Sequence, residues 1–135
     1  MKIKSSKSRF KGLALVETAI VLLLLMYLTL GVIEYSWLFL KLQQITNAAR
    51  SGARVGIVGG NIEGTVDTLM TAAKMDKSKI GYTVSSVIGS DTGDPVTVTV
   101  TVLNTRQIAL INAPGLLPLP PNGLSASVTM AKEGL

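Results

Sequence analysis

The pattern of hydrophobic and polar residues divides the chain into one long apolar run and several shorter stretches with helical or strand periodicity. The apolar run extends from Leu13 to Leu40, contains no proline, and has Glu17 and Glu34 as its only charged residues. As an α-helix it would be about 42 Å long, whereas the hydrocarbon core of a bilayer is about 30 Å thick. The run therefore predicts a transmembrane helix over residues 13–40, with Trp37 where aromatic rings anchor helices at a bilayer interface.

Polar residues join the helical pattern after the apolar run, and Lys41 supplies the first charge of this amphipathic continuation. A glycine-rich stretch between Val55 and Gly64 predicts the end of the helix. A phosphate-binding loop is the alternative, but no Lys and Ser/Thr pair follows these glycines as in a P-loop. We expect a long N-terminal helix over residues 13–55 and a small head domain over residues 56–135.

The periodicity of the head predicts one short helix and three strands. Strict alternation of Val with Thr from Val96 to Val102 is typical of a strand with one buried face and one hydroxylated face. The short helix is predicted over residues 65–75, and the strands over residues 80–88, 96–103 and 124–130. We therefore expect an α+β fold, in which a long N-terminal transmembrane helix precedes a small head with one short helix and a three-stranded antiparallel sheet.

Two loops of the head have a distinctive composition. Asp91 and Asp94 lie between the first two predicted strands, where turn formation is favoured over a calcium site because the remaining ligands of a calcium loop are lacking. Residues 108–121 mix leucine and isoleucine with four prolines, which excludes a regular helix. This segment either covers an open end of the core or forms an exposed patch that contacts lipid or another subunit.

The charge of the chain is concentrated in its first twelve residues. The net charge is +5, and Lys2, Lys4, Lys7, Arg9 and Lys11 account for all of it. Eight basic and eight acidic residues cancel over the rest of the chain, so we expect no nucleic-acid partner. Basic residues directly before a membrane span favour a cytoplasmic N-terminus, which places the head in the periplasm. A cleavable secretory signal is disfavoured because the apolar run is too long and no small-residue cleavage site follows it closely.

The chain has no cysteine and no histidine. Disulfides, zinc sites built from these residues, thiol nucleophiles and histidine acid–base chemistry are therefore excluded. We expect no enzyme activity, no metal site, no cofactor and no small-molecule substrate. A membrane enzyme would have to work with Asp, Glu, Ser or Lys alone, and no arrangement of these residues resembles an active site.

Glu17 lies near the start of the apolar run, where a carboxylate in a bilayer is costly. One interpretation is that it complements the helix dipole in the first turn. The other interpretation is that the Glu17 carboxylate pairs with a cationic group. If the chain is cut after Gly12, Leu13 gains an α-amino group four residues before Glu17, available to the same chain or to a neighbouring subunit.

Small residues recur four positions apart in the helix beyond the membrane span. The two pairs are Ala48 with Gly52 and Ala49 with Ala53. Such spacing places them on one face that another helix or a sheet can approach closely. The face either packs on this protein's own sheet or mediates subunit packing. Arg50 and Arg54 share a face near the helix end. There we expect them to contact a neighbouring subunit or lipid phosphates.

The basic leader, the Lys11-Gly12-Leu13 sequence, Glu17 and the apolar helix together resemble the type IV prepilin-like proteins. Residues 32–56 are similar to the TadE-like family of the Tad pilus systems, with residues 47–54 the most specific, and residues 124–130 resemble the last strand of such proteins. Members often carry a proline shortly after the glutamate, and this chain has none there.

The resemblance implies cleavage between Gly12 and Leu13 by a prepilin peptidase, with Glu17 setting the register between subunits. It also implies other pilin subunits, the pilus assembly machinery and inner-membrane lipid as partners. The predicted function is that of a minor pilin or pseudopilin of a Tad-type pilus, anchored in the bacterial inner membrane by one span and carried to the cell surface on assembly. The alternative is an uncleaved single-span anchor with a partner-binding periplasmic head.

Overall fold

The computed structural model describes residues 7–111 and 118–132. Helix α1 runs from Lys7 to Ile57 over 51 residues, so the apolar run and its amphipathic continuation form one element. Two hydroxyl groups in the apolar part donate to the carbonyl four residues earlier, Thr18 to Ala14 and Thr29 to Leu25, each at 2.8 Å. These polar groups are therefore satisfied within the helix, as an apolar environment requires. Residues 1–6 of the predicted leader lie outside the described residues.

The chain divides into two compact units, one up to Tyr35 and one from Ser36 onward. The first unit contains the apolar part of α1. The second contains the rest of α1 together with the remaining elements, because residues such as Ile45, Ala49 and Ala53 are fully buried in its core. The second unit thus begins about 20 residues before the glycine-rich stretch at which the sequence predicts the head to start.

Helix α2 runs from Ile62 to Ala72 and buries Val66 and Met70. Its first turn is capped by Asn61, whose side-chain oxygen accepts a hydrogen bond from the Gly64 N–H at 2.9 Å. The sequence predicts this helix over residues 65–75, so the observed helix starts and ends three residues earlier. The cap explains the difference at the start, since Asn at this position satisfies a donor that would otherwise lack a partner.

Three strands follow, β1 at Tyr82–Ile88, β2 at Pro95–Val102 and β3 at Leu124–Ala131. They form one antiparallel sheet in the order β1-β2-β3, with Val100 opposite Val84 on one side and Ala126 on the other. The predicted α+β fold is therefore confirmed, with each strand within two residues of its predicted bounds.

The alternating sequence of β2 gives its two faces opposite characters. The valines at positions 96, 98, 100 and 102 are fully buried under the helices. On the other face, each threonine of β2 shares a hydrogen bond with a hydroxyl of β3, and the pairs are Thr97 with Thr129 at 2.8 Å, Thr99 with Ser127 at 2.9 Å and Thr101 with Ser125 at 2.9 Å. The outer face is thus a neutral, hydroxyl-lined surface, as the alternation predicts.

Two glycines let α1 approach the core closely. The β2 residues that lie opposite them show the direction of α1 relative to β2. A Cβ at Gly52 would lie 2.8 Å from Val66 Cγ2 and 3.4 Å from Val98 Cγ1, and a Cβ at Gly56 would lie 2.9 Å from Val96 Cγ1. Residue numbers fall along α1 as they rise along β2, so the two elements run in opposite directions. The C-terminal end of β2 therefore points toward the end of the head at which α1 enters it.

The two distinctive loops have different roles. In the turn between β1 and β2, the Asp94 carboxylate accepts a hydrogen bond from the Asp91 N–H at 2.9 Å, as expected for turn chemistry. In the β2–β3 connection, Ile108 is buried and Leu119 packs against the core, whereas the Leu110 side chain is 51% exposed. The segment therefore covers part of the core and also presents apolar surface. Its middle, residues 112–117, lies outside the described residues.

A polar cluster joins α2 to β1. The Tyr82 hydroxyl donates to Asp67 Oδ1 at 2.7 Å, and Lys77 Nζ donates to Glu63 Oε1 at 2.6 Å. Lys77 Nζ also lies 5.7 Å from the centroid of the Tyr82 ring. Burial, together with the Asp67 carboxylate, raises the pKa of the Tyr82 hydroxyl above its ordinary value of 10.0.

This raised pKa predicts a loss of head stability in alkali. Tyr82 ionises more readily in the unfolded chain, so its stabilising contribution is complete below about pH 10 and decreases as the pH rises above that value. We expect the unfolding free energy of Tyr82→Phe to be about 1 kcal/mol below that of the unchanged protein at neutral pH. Urea unfolding of the full chain in detergent should show this gap narrowing above about pH 10. A gap that stays constant with pH would contradict the assignment.

Candidate functional site

The first unit exposes an apolar helical surface, and contact of this surface with water is unfavourable in free energy. The described part of α1 is long and apolar enough to cross a membrane. An 18-residue stretch of it has a mean hydropathy of 2.4, and none of that stretch is buried. The exposed large hydrophobic side chains of the first unit are Leu13, Leu15, Val16, Ile20, Val21, Leu22, Leu23, Leu24, Leu25, Met26, Tyr27, Leu28, Val32, Ile33 and Tyr35. Leaving each such side chain in water costs about 1.5–3 kcal/mol, which sums to tens of kcal/mol. Lipid or other protein helices must therefore cover this surface.

The predicted cleavage residues and Glu17 lie at the start of this surface. Gly12, Leu13 and Glu17 are all exposed, and a Cβ built at Gly12 would meet no atom within 4 Å. Leu13 and Glu17 are four residues apart on a regular helix, so they occupy the same face one turn apart. An α-amino group created at Leu13 would therefore lie on the same face as the Glu17 carboxylate.

The small-residue face is internal to the head. Ala48, Ala49 and Ala53 are at most 1% exposed, and Gly52 contacts the region of Val66 and Val98. Gly52 faces side chains of α2 and β2 within the head. The neighbouring Arg50 and Arg54 are exposed on α1, so they do not join that buried face.

One shallow groove on the second half of α1 includes Arg50. The groove is lined by Phe39, Leu42, Gln43, Thr46, Asn47 and Arg50. These residues are spaced three and four apart, so they form a single face of the helix. Its apolar end is Phe39, and its basic end is Arg50.

Two residues of the second half of α1, Trp37 and Lys41, make hydrogen bonds to distant parts of the head. Trp37 Nε1 donates to the Ile108 carbonyl at 2.8 Å, and Lys41 Nζ donates to the Ala73 carbonyl at 2.8 Å. Lys41 is only 6% exposed, and its Nζ lies 5.0 Å from the centroid of the Trp37 ring. Trp37 and Lys41 therefore both make contacts within the head, and Lys41 is buried although it is the first charge of the amphipathic continuation.

Lys41 closes the C-terminal end of α2. Helix ends leave carbonyl groups without intrahelical partners, and a cation there is favoured by the helix dipole. Burial lowers the pKa of Lys41 below 10.5, and the nearby Lys74 lowers it further. The sequence signal for this role is weak, because the partner carbonyl belongs to a residue 32 positions away.

The part of the chain that the structure describes has no cluster of side chains suited to bind a metal ion. Over residues 7–111 and 118–132, no group of three or more His, Cys, Asp or Glu side chains is placed to hold a metal ion. The charged groups that do meet form structural contacts within the head, such as the exposed ion pair of Lys77 and Glu63.

Comparison with protein families finds a match in the region that carries these features. Residues 12–54 match the family model of the TadE-like proteins, which confirms the resemblance seen in the sequence. The matched segment begins at Gly12, contains Glu17 and ends at Arg54, and it covers about a third of the chain. Comparisons with curated proteins and with solved structures give no match.

Proposed function

We propose, from the TadE-like match over residues 12–54, that this protein is a pilin-like subunit of a Tad-type pilus, acting as a minor pilin or pseudopilin. The observation that carries the proposal is the coincidence of that match with the exposed apolar part of α1, which begins at Leu13. Its role is assembly through packing and charge rather than catalysis.

The proposed sequence of events begins in the inner membrane. A prepilin peptidase on the cytoplasmic side removes residues 1–12, and α1 holds the subunit in the bilayer with its head in the periplasm. Assembly then transfers the apolar surface of α1 from lipid to the helices of neighbouring subunits. Both environments are apolar, so the transfer costs little hydrophobic free energy. The hydroxyls of Thr18 and Thr29 need no new partner in either environment.

We place the membrane span at residues 13–35 rather than at the 13–40 expected from hydropathy. The compact head unit starts at Ser36, and Leu38 and Lys41 are buried in it. A helix over residues 13–35 would be about 34 Å long, which matches a hydrocarbon core of about 30 Å. The shorter span therefore leaves the second half of α1 free to serve as a core helix of the head.

The decisive experiment measures the intact mass and N-terminal sequence of the protein from membranes of hosts with and without their prepilin peptidase. A start at Leu13 only in the host with the peptidase supports the proposal. A chain that begins at Met1 in both hosts contradicts it and supports the uncleaved anchor with a partner-binding head.

Glu17→Gln tests the registration role separately. The variant keeps the size of the side chain and removes its charge, so the α-amino group of Leu13 on a neighbour would remain buried without a partner. Such losses cost about 3–5 kcal/mol, so incorporation into filaments should fall by at least about tenfold, with leader removal unchanged. Quantitative immunoblots of sheared pili and of membranes measure both quantities.

Asp91→Asn is the matched control, since it also removes one carboxylate but lies in an exposed turn of the head. It should assemble like the unchanged protein. Normal assembly of Glu17→Gln would show that the carboxylate sets no register. The dipole interpretation has no support in the full-length chain, because α1 begins at Lys7 and Glu17 lies beyond its first turn.

A further inference from the structure

Two arginines on the second half of α1 have no ionic partner within the described part of the head. Arg50 and Arg54 are exposed and lie four residues apart, so they share one face of the helix, which we call the arginine face. Each is two positions from Gly52, which faces α2 and β2, so the arginine face lies on the opposite side of α1. Neither arginine forms an ion pair with any residue that the structure describes. No acidic residue of α1 follows Glu34, so this face carries a net positive charge.

Two carboxylates of α2 form a surface of opposite charge. Glu63 is exposed and Asp67 is half-buried, and they lie four residues apart on what we call the acidic face. Lys77 Nζ lies 2.6 Å from Glu63 Oε1 and 3.9 Å from Asp67 Oδ2. The two acids share this lysine, which leaves a net negative charge in the group. The Tyr82 hydroxyl on the edge strand β1 donates to Asp67, so the acidic face lies on the β1 side of the head.

Contacts between the two helices fix their relative direction. A Cβ at Gly52 would lie 2.8 Å from Val66 Cγ2, and a Cβ at Gly56 would lie 2.9 Å from Ile62 Cδ1. Gly56 is four residues after Gly52, whereas Ile62 is four residues before Val66. The helices are therefore antiparallel, and each step forward along α1 corresponds to one step back along α2.

The two charged faces lie at the same height along the head. Counted from the glycine contacts, Asp67 is level with residue 51 of α1, and Glu63 is level with residue 55. Arg50 and Arg54 each lie one residue from these levels, which is about 1.5 Å along the helix axis. A copy of the head placed beside the first, pointing the same way and without any shift in height, would thus bring opposite charges together.

We propose that the arginine face of one copy binds the acidic face of a second copy of this chain, with both copies pointing the same way. Arg50 pairs with the partner's Asp67, and Arg54 pairs with the partner's Glu63. This inference rests on the proposed function, because it takes the chain as a subunit that meets copies of itself. Its physical basis is charge complementarity at equal spacing and equal height.

The contact is heterologous, since the two faces lie on different sides of the head. Each copy offers its arginine face to one neighbour and its acidic face to another, so the contact can repeat along a row of subunits. Arg50 also lines the groove that begins at Phe39, and a helix bound to the arginine face would lie along that groove.

The absence of native cysteine allows a disulfide test of this contact. Asn47 is exposed one turn before Arg50, and Thr71 is exposed one turn after Asp67, at the level of Asn47. The full-length chain with Asn47→Cys and Thr71→Cys is oxidised in membranes of a host that has its prepilin peptidase. We expect non-reducing gels to show dimers, trimers and longer products, because each chain carries one member of each cysteine pair.

Three variants are the matched controls. Asn47→Cys alone and Thr71→Cys alone should stay monomeric, because a heterologous contact pairs the two positions only with each other. Asn47→Cys with Ser127→Cys should also stay monomeric, since Ser127 lies on the outer face of the sheet. Dimers from either single variant would mean that like faces meet. That result, absence of products from the first double variant, or products that stop at the dimer would each overturn the proposal.

Charge reversal tests the electrostatic basis of the contact. In the Asn47→Cys and Thr71→Cys background, Arg54→Glu should reduce cross-linking by about fivefold or more, because it replaces an attraction with a repulsion. Addition of Glu63→Arg should restore most of the lost cross-linking. Cross-linking that does not respond to Arg54→Glu would overturn the pairing.

Intact mass of the same samples distinguishes this proposal from the proposed function. Chains that start at Leu13 but give no cross-linked products would overturn the contact alone. Chains that start at Met1 in hosts with and without the peptidase, yet form the expected products, would overturn the proposed function and leave the contact between copies standing.

Discussion

Replacing Gly12 by Asp should leave the leader attached to the protein in a host that has an active prepilin peptidase. A protease must bring its catalytic groups close to the backbone at the cut, and glycine offers no side chain to obstruct them. Within this protein the new side chain meets no obstacle, because a Cβ at Gly12 has no atom within 4 Å. The block would therefore arise in the peptidase and not from misfolding of the substrate. Intact mass of the membrane-extracted protein should include residues 1–12 in essentially all molecules.

Gly12→Ala is the matched control, because it changes the same residue but adds only a methyl group. We expect it to be processed to Leu13, more slowly than the unchanged protein. Processing of Gly12→Asp at the normal site and rate would show that the cut does not depend on this residue, and the assignment of Gly12 would then be wrong.

Gly52→Leu should unfold or severely destabilise the head while leaving the membrane span intact. The first atom of the new side chain would already lie 2.8 Å from Val66 Cγ2 and 3.3 Å from Ile62 Cγ2, and the rest would have to enter the filled core. Leucine favours a helix over glycine by about 1 kcal/mol, but overpacking a core costs roughly 3 kcal/mol or more in such a site. Urea unfolding of the full chain in detergent, followed by the fluorescence of Trp37, measures the net loss.

Two variants make the test specific to close packing. Asn47→Leu places the same side chain on an exposed position of the same helix and should change stability by less than about 0.5 kcal/mol. The stability of Gly52→Ala should lie between those of Gly52→Leu and Asn47→Leu, because the gain in helix propensity offsets the cost of displacing one Val66 methyl group. Equal stability of Gly52→Leu and Asn47→Leu would mean that α1 does not pack on α2 and β2 as observed.

The elements that sequence predicted best are those whose pattern repeats within the element itself. The Val–Thr alternation of β2 determines which side chains are inside, and the structure buries each of the valines from Val96 to Val102. The apolar run likewise defines α1, because no proline interrupts it and Gly31 is the only glycine within it. In β1 the same reasoning fails at one end, where Ile88 is in phase with the buried residues yet 52% exposed. The strand extends beyond the cover that the helices provide.

The contacts of Trp37 and Lys41 within the head could not be predicted from a repeating sequence pattern. The side chains of Trp37 and Lys41 bind backbone carbonyls of Ile108 and Ala73, and a carbonyl is present at every residue. No residue type in the partner segments therefore signals the contact. The small-residue face shows the complementary limit, since the spacing of Ala49 and Ala53 predicts close packing but does not specify whether the neighbour is the same chain or another.

The sheet that carries these elements combines a local hairpin with a distant strand. β1 and β2 are joined by the short Gly89–Asp94 turn, whereas β3 reaches β2 only after the long connection that begins at Leu103. Pairings close in sequence form faster than distant ones, so β3 is expected to dock last during folding. Until then β2 presents an open edge of alternating valine and threonine, a composition prone to cross-β association. Chains in which β3 has not yet docked would thus be the form of this protein most dependent on chaperones.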